Sequence, residues 1–160
     1  MNEDIYDYPS QYKFIALAAP LLIISSTIYL VLWPFLRSEP LSSHYFLVLV
    51  AGLPLATVFA ISIHFTYPTV VVRQGGFKLK TQLYESKWYN WGQLTRIRQP
   101  ATGNFVTQLY VIGCNDFDIW FLIIGYSQGV FTKGFLIHPN MRHAERLLRL
   151  ILKERPELFE

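Results

Sequence analysis

The chain has 160 residues, of which 52 % are hydrophobic and 16 % are charged, and a formal net charge of +3. Its single cysteine, Cys114, excludes an intramolecular disulfide, and burial as a small hydrophobic residue is a simpler prediction for it than a reactive thiol. The composition averages two unlike parts, because residues 69–160 hold twelve Lys and Arg against seven Asp and Glu, a net formal charge of +5.

The N-terminal segment, residues 1–13, is short and acidic. It carries Glu3, Asp4 and Asp7 against Lys13 alone, and it lacks the basic region that begins a secretory signal. We therefore expect the apolar run that follows to be retained as a membrane helix, with residues 1–13 as a cytoplasmic N-terminal segment ahead of it.

Two uncharged apolar runs follow, from Phe14 to Leu36 and from Tyr45 to Tyr67, each 23 residues long. About 20 apolar residues are enough for an α-helix to cross the ~30 Å hydrocarbon core of a bilayer. An eight-residue link joins the runs, so residues 14–67 are predicted to form a transmembrane helical hairpin. Basic residues are enriched on the cytoplasmic side of membranes. The link holds only Arg37, whereas several Lys and Arg follow the second run, and both termini are therefore expected in the cytoplasm.

Small residues recur at four-residue steps in the second run, at Gly52, Ala56 and Ala60. This spacing puts them on one helix face, and such faces let two membrane helices approach closely. The partner would be the first helix or a second copy of the chain. The alternative is that Gly and Ala are simply common in membrane helices.

After Pro68 the pattern changes to short β-type segments bounded by turn residues. The predicted strands are 69–73, 77–83, 85–91, 105–112, 119–124 and 130–137, with a turn at Gln74-Gly75-Gly76. From His138 onward an amphipathic helix is predicted. Its core face is formed by Ala144, Leu147, Leu148, Ile151 and Leu152.

Two groups of basic residues are candidate binding surfaces. Arg73, Lys78 and Lys80 follow the second span most closely, and basic residues beside a bilayer are attracted to anionic headgroups. We therefore predict that these three contact lipid headgroups. A second stripe lies on the C-terminal helix and is either a solvated face or a surface for a protein partner or anionic lipid. Its members are Arg142, Arg146, Arg149 and Lys153.

The segment Trp88-Tyr-Asn-Trp-Gly-Gln-Leu-Thr-Arg-Ile97 resembles the W-x-x-I/L-x-x-I motif of bacterial pleckstrin-homology-like (PH-like) domains. Phe135-Leu-Ile-His-Pro139 is similar to the "IP" step that enters their final helix. With two preceding membrane helices, the chain resembles the YcxB-like group of bacterial PH membrane proteins. The resemblance implies an α+β protein of the bacterial inner membrane. Its hairpin would precede a PH-like antiparallel β-barrel or sandwich over 69–160, capped by a C-terminal helix. Phosphoinositide recognition is not implied, because no Arg completes the basic pair after Lys78 and Lys80.

Catalytic and metal-binding patterns are weak. Asp116-Phe-Asp118 could hold a cation, but Asp is favoured in turns for its own backbone hydrogen bonding, and His138 and His143 are five residues apart. We expect no enzyme, no cofactor and no metal. Nucleic acid is not an expected partner, because Tyr89, Trp91 and Phe105 are more simply strand-core residues.

Two functions remain open. The first is a non-enzymatic, membrane-anchored binding module whose domain contacts anionic headgroups, a protein partner or both. The alternative is an immunity-type or accessory subunit that binds another membrane protein, or a second copy of itself, through the hairpin.

Overall fold

Two long apolar helices and two antiparallel sheets make up the fold in the computed structural model, which describes residues 3–38, 43–98, 110–127 and 132–159. The first helix, α1, is Ser10–Arg37. The second rod consists of α2, Ser43–Leu47, a π-helical turn, Val48–Gly52, and α3, Leu53–Thr66. Both rods are long and apolar enough to cross a membrane, and few residues in the most apolar stretch of each are buried inside the protein.

The two rods lie side by side and run in opposite directions. At one end the rings of Phe35 and Tyr45 are 5.8 Å apart, and at the other the His64 imidazole contacts the backbone of Ala16. The π-helical turn ends two residues before Pro54, whose missing N–H and bulky ring disturb the helix around it. The predicted helical hairpin is therefore present.

Within the described ranges, seven short strands form the two sheets. The first sheet has the order β1-β2-β3-β4 and the second the order β5-β6-β7, with every pair antiparallel. The strands are β1 Asp4–Tyr6, β2 Thr69–Arg73, β3 Gly76–Lys80, β4 Tyr89–Asn90, β5 Leu94–Arg98, β6 Tyr110–Cys114 and β7 Gly134–Ile137. Of the two expected arrangements, barrel and sandwich, the closed barrel is not formed by the described strands.

The β2–β3 hairpin is predicted correctly, and its glycines are required by the backbone. Gly75 has a φ of +85°, which L-residues rarely adopt. At Gly76 an added Cβ would lie 2.3 Å from the carbonyl oxygen of Tyr89. Glycine is therefore needed at both positions, once for the turn and once for the approach of β4.

The N-terminal segment contributes a strand to the first sheet. Its strand β1 precedes the first apolar helix but pairs with β2, which follows the second, with Asp4 opposite Val72 and Tyr6 opposite Val70. The Tyr8 side chain is fully buried, and its hydroxyl donates to the Leu136 carbonyl and accepts from the His138 amide, each at 3.1 Å. Burial raises the pKa of Tyr8 above its ordinary value.

Two predicted strands are wrong. Residues 119–124 form a 3₁₀ turn, Ile119–Phe121, followed by the helix α4, Leu122–Ser127. In the predicted strand 85–91, only Tyr89–Asn90 pairs as a ladder, and Trp91–Gln93 is a 3₁₀ turn. Short apolar runs do not distinguish a buried strand from a buried helix, so packing decides the outcome. The strands predicted at 105–112 and 130–137 lie partly outside the described residues.

The C-terminal helix α5, Ala144–Glu154, joins both sheets in one hydrophobic cluster. Leu147 and Ile151 of its predicted core face are fully buried, and Ala144 is buried beside them, whereas Leu152 is 42 % exposed. The helix begins six residues after His138, because the intervening turns bury Met141. A final 3₁₀ turn, Pro156–Phe159, follows it.

Candidate functional site

A cleft opens where α1 begins, α3 ends and the β2–β3 hairpin returns toward them. Its volume is about 160 Å³. Antiparallel register places Thr69 opposite Lys80 at this end of the hairpin. The Gln82 amide donates to the carbonyl of Lys13 at 2.7 Å, which ties the segment after β3 to the first turn of α1. The lining residues are Lys13, Tyr67, Thr69, Lys80, Thr81 and Gln82.

Positive charge exceeds negative charge around the cleft. The Lys13 ammonium is 2.7 Å from the Asp7 carboxylate, which Arg142 also approaches at 3.8 Å. On the other side, Lys78 and Lys80 share the Glu85 carboxylate at 2.5 and 3.3 Å. Each carboxylate thus serves two cations, and each trio keeps a net formal charge of +1.

The Glu85 carboxylate holds its proton weakly in this setting. Hydrogen bonds from Lys78 and Lys80 lower the pKa of Glu85 below its ordinary value. Glu85 is therefore ionised at neutral pH, and it orients both ammonium groups without neutralising the pair.

Only one of the three predicted headgroup contacts lines the cleft. Lys80 does, whereas Arg73 lies at the other end of β2, with its guanidinium 3.8 Å from the centre of the Trp88 ring. The Lys78 ammonium is 4.9 Å from the same ring. Lys13 was missed by sequence reasoning, although its position directly before the first apolar run was an available signal.

Three residues of the predicted basic stripe lie on α5, whereas Arg142 precedes the helix because α5 begins at Ala144, and most of the stripe is paired within the chain. Arg142 approaches Asp7, and Arg146 is 3.0 Å from Asp4, so both contact the N-terminal segment. Arg149 is 3.2 Å from Glu145 on the same helix. Lys153 makes no ion pair within the described ranges. The acidic N-terminus is thus the main partner that the structure gives to this stripe.

The small residues of the second span differ in burial. Ala60 is buried and borders a groove together with Pro20 of α1, whereas Gly52 and Ala56 are half-buried. The first helix is therefore the packing partner that the structure provides for Ala60.

A buried histidine fixes the cleft to the helix pair. The Nε2 of His64 is 2.7 Å from the Thr81 hydroxyl, and its Nδ1 is 3.2 Å from the carbonyl oxygen of Ala16. A carbonyl can only accept, so Nδ1 donates to Ala16, and Nε2 shares a second hydrogen bond with the Thr81 hydroxyl. His64 thereby joins α1, α3 and the segment after β3.

The Asp-x-Asp sequence is occupied by hydrogen bonds from the protein. The hydroxyls of Tyr84 and Tyr89 both donate to the Asp118 carboxylate, and Asp116 accepts from the Gln93 amide at 2.8 Å. Burial, and then the bond to Asp118, raise the pKa of both tyrosines. In the part of the chain that the structure describes, no three His, Cys, Asp or Glu side chains cluster as metal ligands would. Cys114 is buried, and burial raises the pKa of its thiol.

The geometry thus defines an α+β chain with two membrane-length helices and a cationic cleft at their common end. No protein-family model, curated protein or solved structure matches this chain.

Proposed function

We propose that the chain is a two-span protein of the bacterial inner membrane whose cytoplasmic α+β domain is a non-enzymatic module for binding anionic lipid headgroups. The observation that carries the proposal is the position of the cleft. Lys13 and Lys80 meet where both apolar helices end, which is the depth of the headgroups when the helices cross a bilayer.

The length and surface of the two helices support membrane insertion. At 1.5 Å per residue, 28 and 22 residues extend about 42 and 33 Å, enough for a ~30 Å core. Their outward side chains are apolar along most of both rods, with Leu22, Leu30 and Val50 among the exposed ones. Such a surface is stable in hydrocarbon and costly in water.

The distribution of basic residues supports cytoplasmic termini. Arg37 is the one basic residue in the link between the spans, whereas Lys13, Arg73, Lys78 and Lys80 lie at the other end of the rods. An excess of Lys and Arg marks the cytoplasmic side of a membrane protein.

The proposal includes a PH-like fold for the domain after the two helices. Six antiparallel strands among the described residues that follow the apolar helices, and then the helix α5, support it. Trp91 and Leu94, the first two motif positions, are buried, and the Trp91 ring stacks on Phe77 at 4.8 Å. The motif therefore coincides with core positions, which is what a fold signature requires.

The chemistry of the cleft suits a phosphate. A lysine ammonium offers three donors, and each of these two ammoniums gives only part of its capacity to a shared carboxylate. The Thr69 and Thr81 hydroxyls and the Gln82 amide lie in the same cleft. A phosphodiester with one negative charge would reduce the combined excess of the two trios from +2 to +1.

The test uses the full-length protein in mild detergent, titrated with phosphatidylglycerol or phosphatidylcholine, with bound lipid counted by native mass spectrometry. We expect a preference for phosphatidylglycerol. The Lys13→Gln/Lys80→Gln variant should weaken its binding about fivefold, because exposed charge contacts are each worth roughly 0.5 kcal/mol.

A matched control removes two cations that belong to neither candidate surface and do not line the cleft, with Lys87→Gln/Lys133→Gln. This control variant should bind phosphatidylglycerol as the unaltered protein does. Equal binding of both lipids by the unaltered protein, or equal losses in the two variants, would overturn the headgroup site.

A further inference from the structure

A second cavity lies between α1 and α3 and is lined by apolar side chains. Its volume is about 240 Å³. Leu17, Leu21 and Ile24 form the α1 wall, and Ile61 and Phe65 belong to the α3 wall. The groove is open toward the surroundings of the helix pair, because Leu21 is 60 % exposed.

The groove continues the headgroup cleft along the same face of α1. Residues four apart lie above one another on a helix, so Lys13, Leu17 and Leu21 form one row, with Ile24 a turn beyond. From Lys13 to Ile24 the helix rises about 16 Å, roughly half of a ~30 Å hydrocarbon core. The row thus extends from headgroup depth to the middle of a bilayer.

The short segment after β3 contributes to both cavities. Thr81 and Gln82 line the cleft, whereas Leu83 reaches the groove. Thr81 is bonded to His64 and Gln82 to Lys13, so the two residues that precede Leu83 are both fixed. Leu83 is 76 % exposed, so its side chain is accessible to an apolar ligand.

We infer that the cleft and the groove together bind a single anionic phospholipid, with the phosphate at Lys13 and Lys80 and one acyl chain beside Leu17, Leu21 and Leu83. The inference rests on the proposed function and adds the acyl-chain contact to it. A helix of a second protein would fill the apolar groove but leave the excess positive charge of the cleft unbalanced. A phospholipid satisfies both parts.

Filling the groove tests the inference. Leu21→Trp places a larger side chain in the groove, and Leu22→Trp is its control, because Leu22 is the next residue, is 67 % exposed and does not line the groove. Both variants are made in the full-length protein and titrated with phosphatidylglycerol in mild detergent. We expect Leu21→Trp to weaken binding about tenfold, the effect of losing contact with roughly two methylene groups. Leu22→Trp should have no effect.

A soluble competitor distinguishes the contribution of the acyl chain to binding from that of the headgroup. Glycerol phosphate carries a phosphate but no acyl chain, and we expect it not to displace phosphatidylglycerol at equal concentration. Displacement at equal concentration, or equal weakening by both tryptophan variants, would overturn the inference.

The two proposals fail in different ways. Selectivity for phosphatidylglycerol that depends on the lysines but is unaffected by Leu21→Trp would overturn the acyl-chain site and keep the headgroup site. Equal binding of phosphatidylcholine and phosphatidylglycerol, both weakened by Leu21→Trp alone, would keep the groove as a chain site but overturn the inference of an anionic lipid.

Discussion

The Nδ1 of His64 lies 3.2 Å from the carbonyl oxygen of Ala16, which is the oxygen that Pro20 leaves without a donor. In an α-helix the amide of residue 20 would bond this carbonyl, but proline has no N–H. A side chain of α3 therefore completes the hydrogen bonding of α1. The His64 side chain thus replaces the backbone donor that Pro20 lacks, which explains how proline is accommodated inside a long helix at this position.

Replacing His64 should cost less stability when Pro20 is also replaced. His64→Phe leaves the buried carbonyl unpaired, and we expect a loss of about 1–3 kcal/mol in the free energy of unfolding. Pro20→Ala supplies a backbone donor for Ala16, so the double variant should recover about 1 kcal/mol relative to the sum of the single effects. Unfolding of all four proteins in micelles measures this coupling. If the two single effects add up to the effect of the double variant within ~0.5 kcal/mol, His64 does not replace the donor that Pro20 lacks.

The Tyr8 hydroxyl should contribute measurably to the stability of the domain. Tyr8→Phe removes the partner of the Leu136 carbonyl and the His138 amide, and we expect a loss of about 1–3 kcal/mol. Tyr29→Phe is the matched control, because Tyr29 is exposed on α1. Thermal unfolding of the full-length variants gives the comparison. Equal transition temperatures for the two variants would argue against a structural role for this hydroxyl.

The domain should lose stability above about pH 10. The pKa values of Tyr84 and Tyr89 are raised in the folded protein by burial and by their bonds to Asp118, from a reference of 10.0. Above that pH the unfolded chain ionises first, so the stability that is fully present below pH 10 is lost as pH rises. Transition temperatures measured from pH 8 upward test this dependence.

The Tyr84→Phe/Tyr89→Phe variant is the control for the alkaline loss. It removes two of the raised ionisations, so its transition temperature should decline less steeply above pH 10, whatever its stability at neutral pH. A decline as steep as that of the unaltered protein would assign the effect to other groups.

Two glycines should respond differently to alanine. Gly76→Ala forces a Cβ to within 2.3 Å of the Tyr89 carbonyl oxygen, and we expect a loss of about 1–3 kcal/mol as β4 shifts. At Gly92 the nearest atom would be 3.6 Å away, an ordinary contact, and the loss should stay below about 1 kcal/mol. Chemical denaturation of both variants decides between these values. A larger loss at Gly92 would contradict the close approach of β4.

The features that the sequence predicts well depend on local pattern. The two long apolar helices follow from uninterrupted hydrophobicity, α5 from its 3.6-residue period, and the β2–β3 hairpin from two adjacent glycines. Each pattern has one structural solution at its length. The 119–124 run has two, because six apolar residues fit either a strand or a helix, and contact with Phe65 of α3 accompanies the helical one.

The features that the sequence does not predict depend on distant residues. Nothing local marks Asp4 as the partner of Arg146, since 142 residues separate them. The sharing of Glu85 by Lys78 and Lys80 likewise needs the turn after β3 to return its carboxylate to the hairpin. Lys13 lies in the same cleft as Lys80 only because α1 packs against α3. The candidate site is therefore a product of the tertiary fold, although each lysine is visible in the sequence.

Strand β1 precedes the first span, yet it completes a sheet whose other strands follow the second. In a membrane, this pairing requires an even number of crossings between Tyr6 and Thr69. A chain with only one inserted helix would hold the two strands on opposite faces of the bilayer and could not form the ladder. Completion of the sheet would thus exclude insertion of one helix alone, and the same few hydrogen bonds would oppose later withdrawal of either helix.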